Sequence, residues 1–374
     1  LMAIPFFVLA GDIMCQGGIA DRLLAFANML VGRFRGGLSH VNIVASMFFG
    51  GISGSAVADV SSLGSVEIPM MVKAGYTPEF ATAITVTGAC QGVLIPPSHN
   101  MIIYSLAAGG VSVGALFVGG FIPGVLMGLC LMVVSIYYSV KNNFPKGKPV
   151  TLKEAIRISK DAFFALGTAL IIFFGVAFGW FTATESAAIA CVYAFIVSFF
   201  IYGELKVKML PSVLLNTVKT IAMVFSLIAA AGAFGWMLAF LRVPTIITHF
   251  VLGISSNVYL ILLFMNLLLL FLGCIMDMAP LIVIMTPILL PVAKACGMHP
   301  VQFGVILIYN LAIGLCTPPV GSALFVGCGI SKLSLEKVGK TMLPMYVAML
   351  IGLMLCTYIP ALSMWLPKLM GYVK

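Results

Sequence analysis

Two stretches decide the fold: Gln91-Gly92-Val93-Leu94-Ile95-Pro96-Pro97-Ser98-His99-Asn100 and Gly314-Leu315-Cys316-Thr317-Pro318-Pro319-Val320-Gly321-Ser322. Each sets a Pro-Pro pair inside an apolar run. Proline removes a backbone donor and pushes the preceding residue out of the helical region, so a helix entering either stretch breaks there. The offset of 222 residues that separates Gly92 from Gly314 also brings Gly51 onto Gly273, Pro69 onto Pro291, Gly75 onto Gly297, Pro78 onto Pro300, and the Pro-Pro pairs onto each other, without a gap. Such alignment marks an internal repeat. Each copy predicts an apolar run interrupted near a glycine, a second run ending at Pro, a short loop, a helix of about five turns, and the Pro-Pro break.

The composition says what surrounds the repeat. Of 374 residues, 62% are hydrophobic and 8% charged, against about 25% charged in soluble domains, so a soluble globular fold is excluded. Between Glu79 and Lys141 there is no Asp, Glu, Lys or Arg, and 162–184, 220–241, 243–276, 295–331 and 341–367 are equally uncharged. Each window holds at least one span of about 20 residues. No alternation of apolar and polar residues suggests a barrel, so the expectation is an all-α polytopic membrane protein. The nine cysteines form no CxxC pair, and neither disulfides nor a metal site is inferred from them. Leu1 with no basic region before the first apolar run reads as an internal start.

The net charge of +9 reads as topology, with no nucleic-acid partner. Lys141, Lys146, Lys148, Lys153, Arg157 and Lys160 against Glu154 place 141–160 in the cytoplasm. Runs at 161–181 and 185–202 then form a hairpin back to Glu204, Lys206 and Lys208, with Glu185 capping a helix at its turn beside Thr182 and Thr184. After the first break 109–120 carries no charge, whereas its partner 331–342 carries Lys332, Lys337 and Lys340, so the two copies have opposite sidedness. The run 43–72, flanked by Arg33, Arg35 and Lys73, enters and leaves from the cytoplasm as a re-entrant hairpin. The run from about 257 to 292 enters from outside, with Lys294 the only nearby base. The prediction is two inverted-topology repeats, each with a re-entrant hairpin and a Pro-Pro broken helix.

Irregular backbone at membrane depth is tolerated where protein or a water-filled cavity receives its polar groups, and in secondary transporters such breaks meet near the midplane to hold substrate and coupling ion. The first hairpin tip, Gly50-Gly51-Ile52-Ser53-Gly54-Ser55-Ala56-Val57-Ala58-Asp59, offers hydroxyls and a bendable backbone for a hard cation, although small residues also suit close helix packing. The second, Gly273-Cys274-Ile275-Met276-Asp277, carries an acid in an otherwise uncharged stretch, a functional candidate by default. Carbonyls freed by the breaks and the hydroxyls of Ser98, Thr317 and Ser322 suit cation sites, while amides after the breaks suit a carboxylate. His99 and Asn100 suit either substrate or a neighbouring helix.

At these residues the chain resembles the large membrane subunit of tripartite ATP-independent periplasmic (TRAP) transporters, the DctM-like or SiaM-like family. The resemblance rests on Ala3-Ile4-Pro5-Phe6-Phe7-Val8-Leu9-Ala10-Gly11, Gly51 to Ala56 with Ala58-Asp59, Lys73-Ala74-Gly75-Tyr76, Ile95-Pro96-Pro97-Ser98 and Thr317-Pro318-Pro319-Val320-Gly321. It spans essentially the whole chain, although members usually have further hydrophobic sequence before Ile4-Pro5. It implies sodium-driven uptake of an organic acid of the C4-dicarboxylate or sialic acid type across the bacterial inner membrane, by an elevator mechanism. It also implies delivery by a periplasmic substrate-binding protein (DctP- or SiaP-like) and a small membrane subunit (DctQ- or SiaQ-like). Carried onto this chain, it implies one sodium site at Ser53, Gly54, Ser55 and Pro96, and a second at Gly273, Asp277, Gly314 and Thr317. Ser98, His99, Asn100, Pro319 and Ser322 are candidates for substrate, though His99 and Asn100 stand where many relatives carry small or apolar residues.

The expected division is a transport module at 43–110 and 257–335, with 1–42, 111–256 and 336–374 as scaffold and connections. Other classes fit poorly. Val338-Gly339-Lys340-Thr341 ends like a P-loop but has Ser at 334, which argues against an ATP-driven pump. Four isolated histidines without HExxH argue against a membrane enzyme, and no cofactor beyond the sodium ion is expected. The runner-up is a sodium- or proton-coupled anion carrier working without a binding protein.

Overall fold

The computed structural model describes residues 2–147, 150–254 and 257–373, and among them every regular element is helical. Helices α1 (Ala3–Gln16) and α2 (Ile19–Val31) are bent by 73° at Gly17-Gly18. Then comes the first hairpin, α3 (Gly37–Ser53) and α4 (Ala56–Lys73), followed by the first broken span, α5 (Pro78–Gly92) and α6 (His99–Ala107). Long helices α7 (Val113–Lys141), α8 (Leu152–Ala177), α9 (Ala183–Ile196) and α10 (Leu210–Phe240) lead to α11 (Val243–Ile254). The second hairpin is α12 (Val258–Gly273) and α13 (Met278–Ala295), and the second broken span α14 (Pro300–Gly314) and α15 (Ser322–Ser331). Helices α16 (Leu335–Tyr358) and α17 (Ala361–Leu369) complete the chain. Among the described residues six helices are long and apolar enough to cross a membrane, and a seventh span results if α1 and α2 count as one.

Sequence chemistry sets these boundaries. Pro78 and Pro300 stand in the first turns of α5 and α14, where the missing N–H costs nothing. The capping box of Thr151 and Glu154 starts α8 at Leu152, so Lys153, Arg157 and Lys160 lie on its first turns rather than in a loop. Thr182 and Glu185 form a second capping box at α9, the role expected of Glu185. Helix α5 has 15 residues, about four turns rather than five. It stops at Gly92 because the chain turns over Val93–Ile95 before the prolines. The first hairpin begins at Gly37, earlier than residue 43.

The core follows from these breaks. Phe80–Gly92 of α5 and Val301–Gly314 of α14 are buried throughout, so the broken spans occupy the centre. Each hairpin packs on its own broken span and on the half-helix of the other repeat: α4 on α5 and α15, α13 on α14 and α6. This reciprocity is what a pseudo-twofold between inverted repeats produces. Helices α7 and α16 also pack on α5 and α14. By contrast α10 leaves Leu214, Val218, Met223, Trp236 and Phe240 exposed, an apolar surface suited to lipid.

Candidate transport site

The first hairpin tip is built by one residue of left-handed backbone. Gly54 has φ +62°, and its N–H bonds to the Gly50 carbonyl at 2.7 Å, which ends α3. Ser55 is extended, and its hydroxyl accepts from the Ala58 N–H at 3.3 Å to cap α4. The Ser55 N–H donates to the Ser53 hydroxyl, also at 3.3 Å. Both serines predicted to hold a cation thus also shape the turn.

Small residues let this tip press on the first break. A Cβ at Gly92 would lie 2.5 Å from the Ser46 carbonyl oxygen and 2.9 Å from the Gly50 Cα, so α3 and α5 cross at backbone contact. A Cβ at Gly51 would lie 3.0 Å from the Pro96 carbonyl oxygen, so that carbonyl lies against the hairpin. Ser98 stands at the N-cap of α6 yet makes no capping bond, and its buried hydroxyl has no partner. The His99 ring lies over Gly54, where a Cβ would meet Nδ1 at 2.5 Å, and Asn100 Nδ2 donates to the Gly54 carbonyl at 3.0 Å.

The second site repeats the backbone crossing with different chemistry. A Cβ at Gly314 would lie 2.5 Å from the Gly273 carbonyl carbon. Asp277 occupies the N-cap position of α13 without making a capping bond, and instead accepts from the Ser322 hydroxyl at 3.3 Å. The Val320 N–H donates to the Cys274 carbonyl at 3.0 Å. The Thr317 hydroxyl donates to the Ile313 carbonyl at 2.7 Å. Not every freed carbonyl is left open, because the Tyr346 phenol donates to the Cys316 carbonyl at 2.6 Å. Both Pro-Pro peptides are cis. Pro319 is exposed and, with Pro318 and Tyr346, lines a groove of about 530 Å³ beside the second break.

Sequence reasoning passed over the polar interior of the first hairpin. Asp59 and Glu67 on α4 are each 1% exposed, and Asp59 Oδ2 and both Glu67 carboxyl oxygens have no hydrogen-bond partner. The Ser46 hydroxyl lies beside the Asp59 carboxyl, and Asn42 Nδ2 donates to the Thr85 hydroxyl at 2.6 Å. In the second repeat Asn310 Nδ2 donates to Asn266 Oδ1 at 2.5 Å, and Asn266 Nδ2 to the Thr357 hydroxyl at 3.1 Å. The rule that singled out Asp277, an ionisable residue in an apolar run, applies equally to Asp59 and Glu67.

Paired re-entrant hairpins closing on paired broken helices define a membrane carrier of the inverted-repeat class. The fold is similar to that of the YdaH transporter of Alcanivorax borkumensis, whose topology is described as unusual, with a TM-score of 0.70 at 14% identity over 98% of this chain and 85% of that one. Residues 1–362 match the model of the tripartite ATP-independent periplasmic transporter family, DctM component, and the chain belongs to that family. It is 46% identical over 99% of its length to 85% of the uncharacterized protein YgiK of Salmonella typhimurium. It is 39% identical over its full length to 87% of the sialic acid TRAP transporter large permease SiaM of Vibrio cholerae. It is also 39% identical over 99% of its length to 87% of the C4-dicarboxylate large permease DctM of Pseudomonas aeruginosa. The protein is a multi-pass permease of the bacterial inner membrane.

Proposed function

We propose that the protein imports an organic acid anion with sodium, taking a C4-dicarboxylate or sialic acid type of substrate from a periplasmic binding protein while a small membrane subunit braces the scaffold. The observation that carries this reading is the doubled crossing of hairpin and break: Gly50 on Gly92 with the Pro96 carbonyl facing Gly51, and Gly273 on Gly314 with Asp277 beside Ser322. Each crossing gathers oxygens around irregular backbone within a carrier fold, the surroundings a monovalent cation needs on leaving water. The relatives named for sialic acid and C4-dicarboxylate support the substrate class. The module 43–110 with 257–335 moves as a unit against the remaining helices in this reading.

Uptake into proteoliposomes, with the cognate binding protein and small subunit, tests it. Accumulation of succinate or N-acetylneuraminate is expected only under an inward sodium gradient and only with the binding protein; uptake indifferent to sodium would sink the reading. Proton coupling is the second reading, favoured by Asp59 and Glu67, buried carboxyl groups of the kind that carry protons in transporters. It predicts accumulation under a pH gradient with choline in place of sodium.

A further inference from the structure

The tie between the first hairpin tip and α6 has a chemistry that its repeat-related partner lacks. The Asn100 bond to the Gly54 carbonyl, at 3.0 Å, is shorter than the bonds the tip serines make to their own turn, at 3.3 to 3.4 Å. Asn100 is 4% exposed, so water does not readily replace it. Its Oδ1 accepts no hydrogen bond among the described residues, and the amide is fixed through Nδ2 alone. Gly54 lacks a Cβ and is left-handed, so the carbonyl that follows it has little local restraint. The His99 ring packs over the same glycine and closes that side of the tip.

In the second repeat the position equivalent to Asn100 is Ser322, whose hydroxyl reaches the Asp277 carboxylate rather than a tip carbonyl. There the tip carbonyl of Cys274 is held by a backbone donor, the Val320 N–H. A main-chain donor is present whatever the side chain, whereas the tie at Gly54 depends on one amide.

We propose that Asn100 is a positioning residue of the first cation site, its amide N–H holding the Gly54 carbonyl where a sodium ion meets it and joining that tip to the N-terminus of α6. The inference rests on the sodium reading above. It makes the first tip and the half-helix that follows the break one unit, so that occupancy of the tip is felt at the start of α6 without a moving part between them. A hydrogen bond of this kind corresponds to about fivefold in an equilibrium constant.

The test needs no transported substrate. The purified full chain is titrated with sodium chloride against choline chloride at constant ionic strength while its thermal unfolding is followed. Asn100→Ala is expected to raise the sodium concentration giving half the stabilisation by about fivefold. Asn100→Asp is expected to do the same, because a carboxylate cannot donate to the Gly54 carbonyl, although it retains an oxygen and adds a negative charge. Asn100→Gln, which keeps the N–H, is expected to recover part of the loss. An alanine variant within about twofold of wild type, or an aspartate variant as tight as wild type or tighter, overturns the proposal; the second result makes Asn100 a direct oxygen ligand. If the alanine variant fails to fold, the aspartate and glutamine variants decide, and equal midpoints overturn it. A wild-type protein without any sodium-specific response sinks the sodium reading and the inference with it, whereas a wild-type response that survives in the alanine variant sinks the inference alone.

Discussion

The two hairpin tips occupy equivalent places in the repeat but differ in how they are enclosed. In the first, Gly54 and the break from Val93 to Ser98 are buried, and α4 behind them carries the buried acids Asp59 and Glu67. In the second, Ile275, Met276 and Asp277 are exposed, as are Pro318, Pro319 and Val320 of the break. The glycine crossings are nevertheless nearly the same, since Gly92 and Gly314 both meet hairpin backbone. The repeat therefore conserves the backbone contact that makes the break and varies the side chains around it. A close approach of two helices admits few residue types, whereas a polar lining admits many.

The largest effect should come from closing the shared crossing. Gly92→Val and Gly314→Val each put a Cβ 2.5 Å from backbone atoms, which demands a shift of main chain, so each should lose folded, monodisperse protein on size exclusion. Overpacking costs about 1–3 kcal/mol even where side chains give way. A variant of either glycine with wild-type yield and melting would show that the two crossings are not equivalent.

Next in size is the exposed charge of the second tip. Asp277→Asn is expected to lower sodium-dependent uptake about tenfold, because it removes the carboxylate charge at that tip, a loss of about 1.4 kcal/mol toward a bound cation. Ser53→Ala or Ser55→Ala should do less, because each removes one neutral oxygen among several. Wild-type uptake and sodium dependence in the asparagine variant, at normal membrane levels, would remove Asp277 from any ion site.

Accessibility sharpens the contrast directly. In a cysteine-free background a hydrophilic maleimide should label Met276→Cys faster than Ser55→Cys in detergent, following the 39% exposure of Met276 and the partial burial of Ser55. Equal rates would mean that both tips open alike. In sealed vesicles Lys73→Cys should react from the cytoplasmic side and Lys294→Cys from outside, and labelling of both from one side would end the inverted arrangement.

The smallest effect belongs to Ser322→Ala. Its bond to Asp277 is long and exposed, so stability should change by less than about 0.5 kcal/mol in thermal unfolding. A large loss would place Ser322 among the residues on which the second tip depends.

Much of this architecture was written locally. Pro78, Pro300 and the two Pro-Pro pairs act through their own backbone, so the starts of α5 and α14 and both breaks were legible from residue type and spacing. The tips were legible too, at Ser53–Ser55 and Cys274–Asp277. Charges misled where they lay on a helix rather than a loop: the Thr151–Glu154 capping box starts α8 before the apolar run, and carries three basic residues into it. Asp59 and Glu67 were visible as acids in an apolar run, but nothing nearby in sequence announced that both are buried with no ion-pair partner among the described residues.

By itself, the sequence determined that the chain is helical, that it spans a membrane, that it carries an internal repeat and that each copy breaks once, because hydropathy, proline and glycine act within a few residues of themselves. Tertiary structure alone decided which oxygens stay open. Tyr346 takes the Cys316 carbonyl from 30 residues away, Asn100 takes that of Gly54 from 46, and Ser322 reaches Asp277 from 45. A hydrogen-bond partner is fixed by distance and angle in space, and those follow only when the hairpins have closed on the breaks.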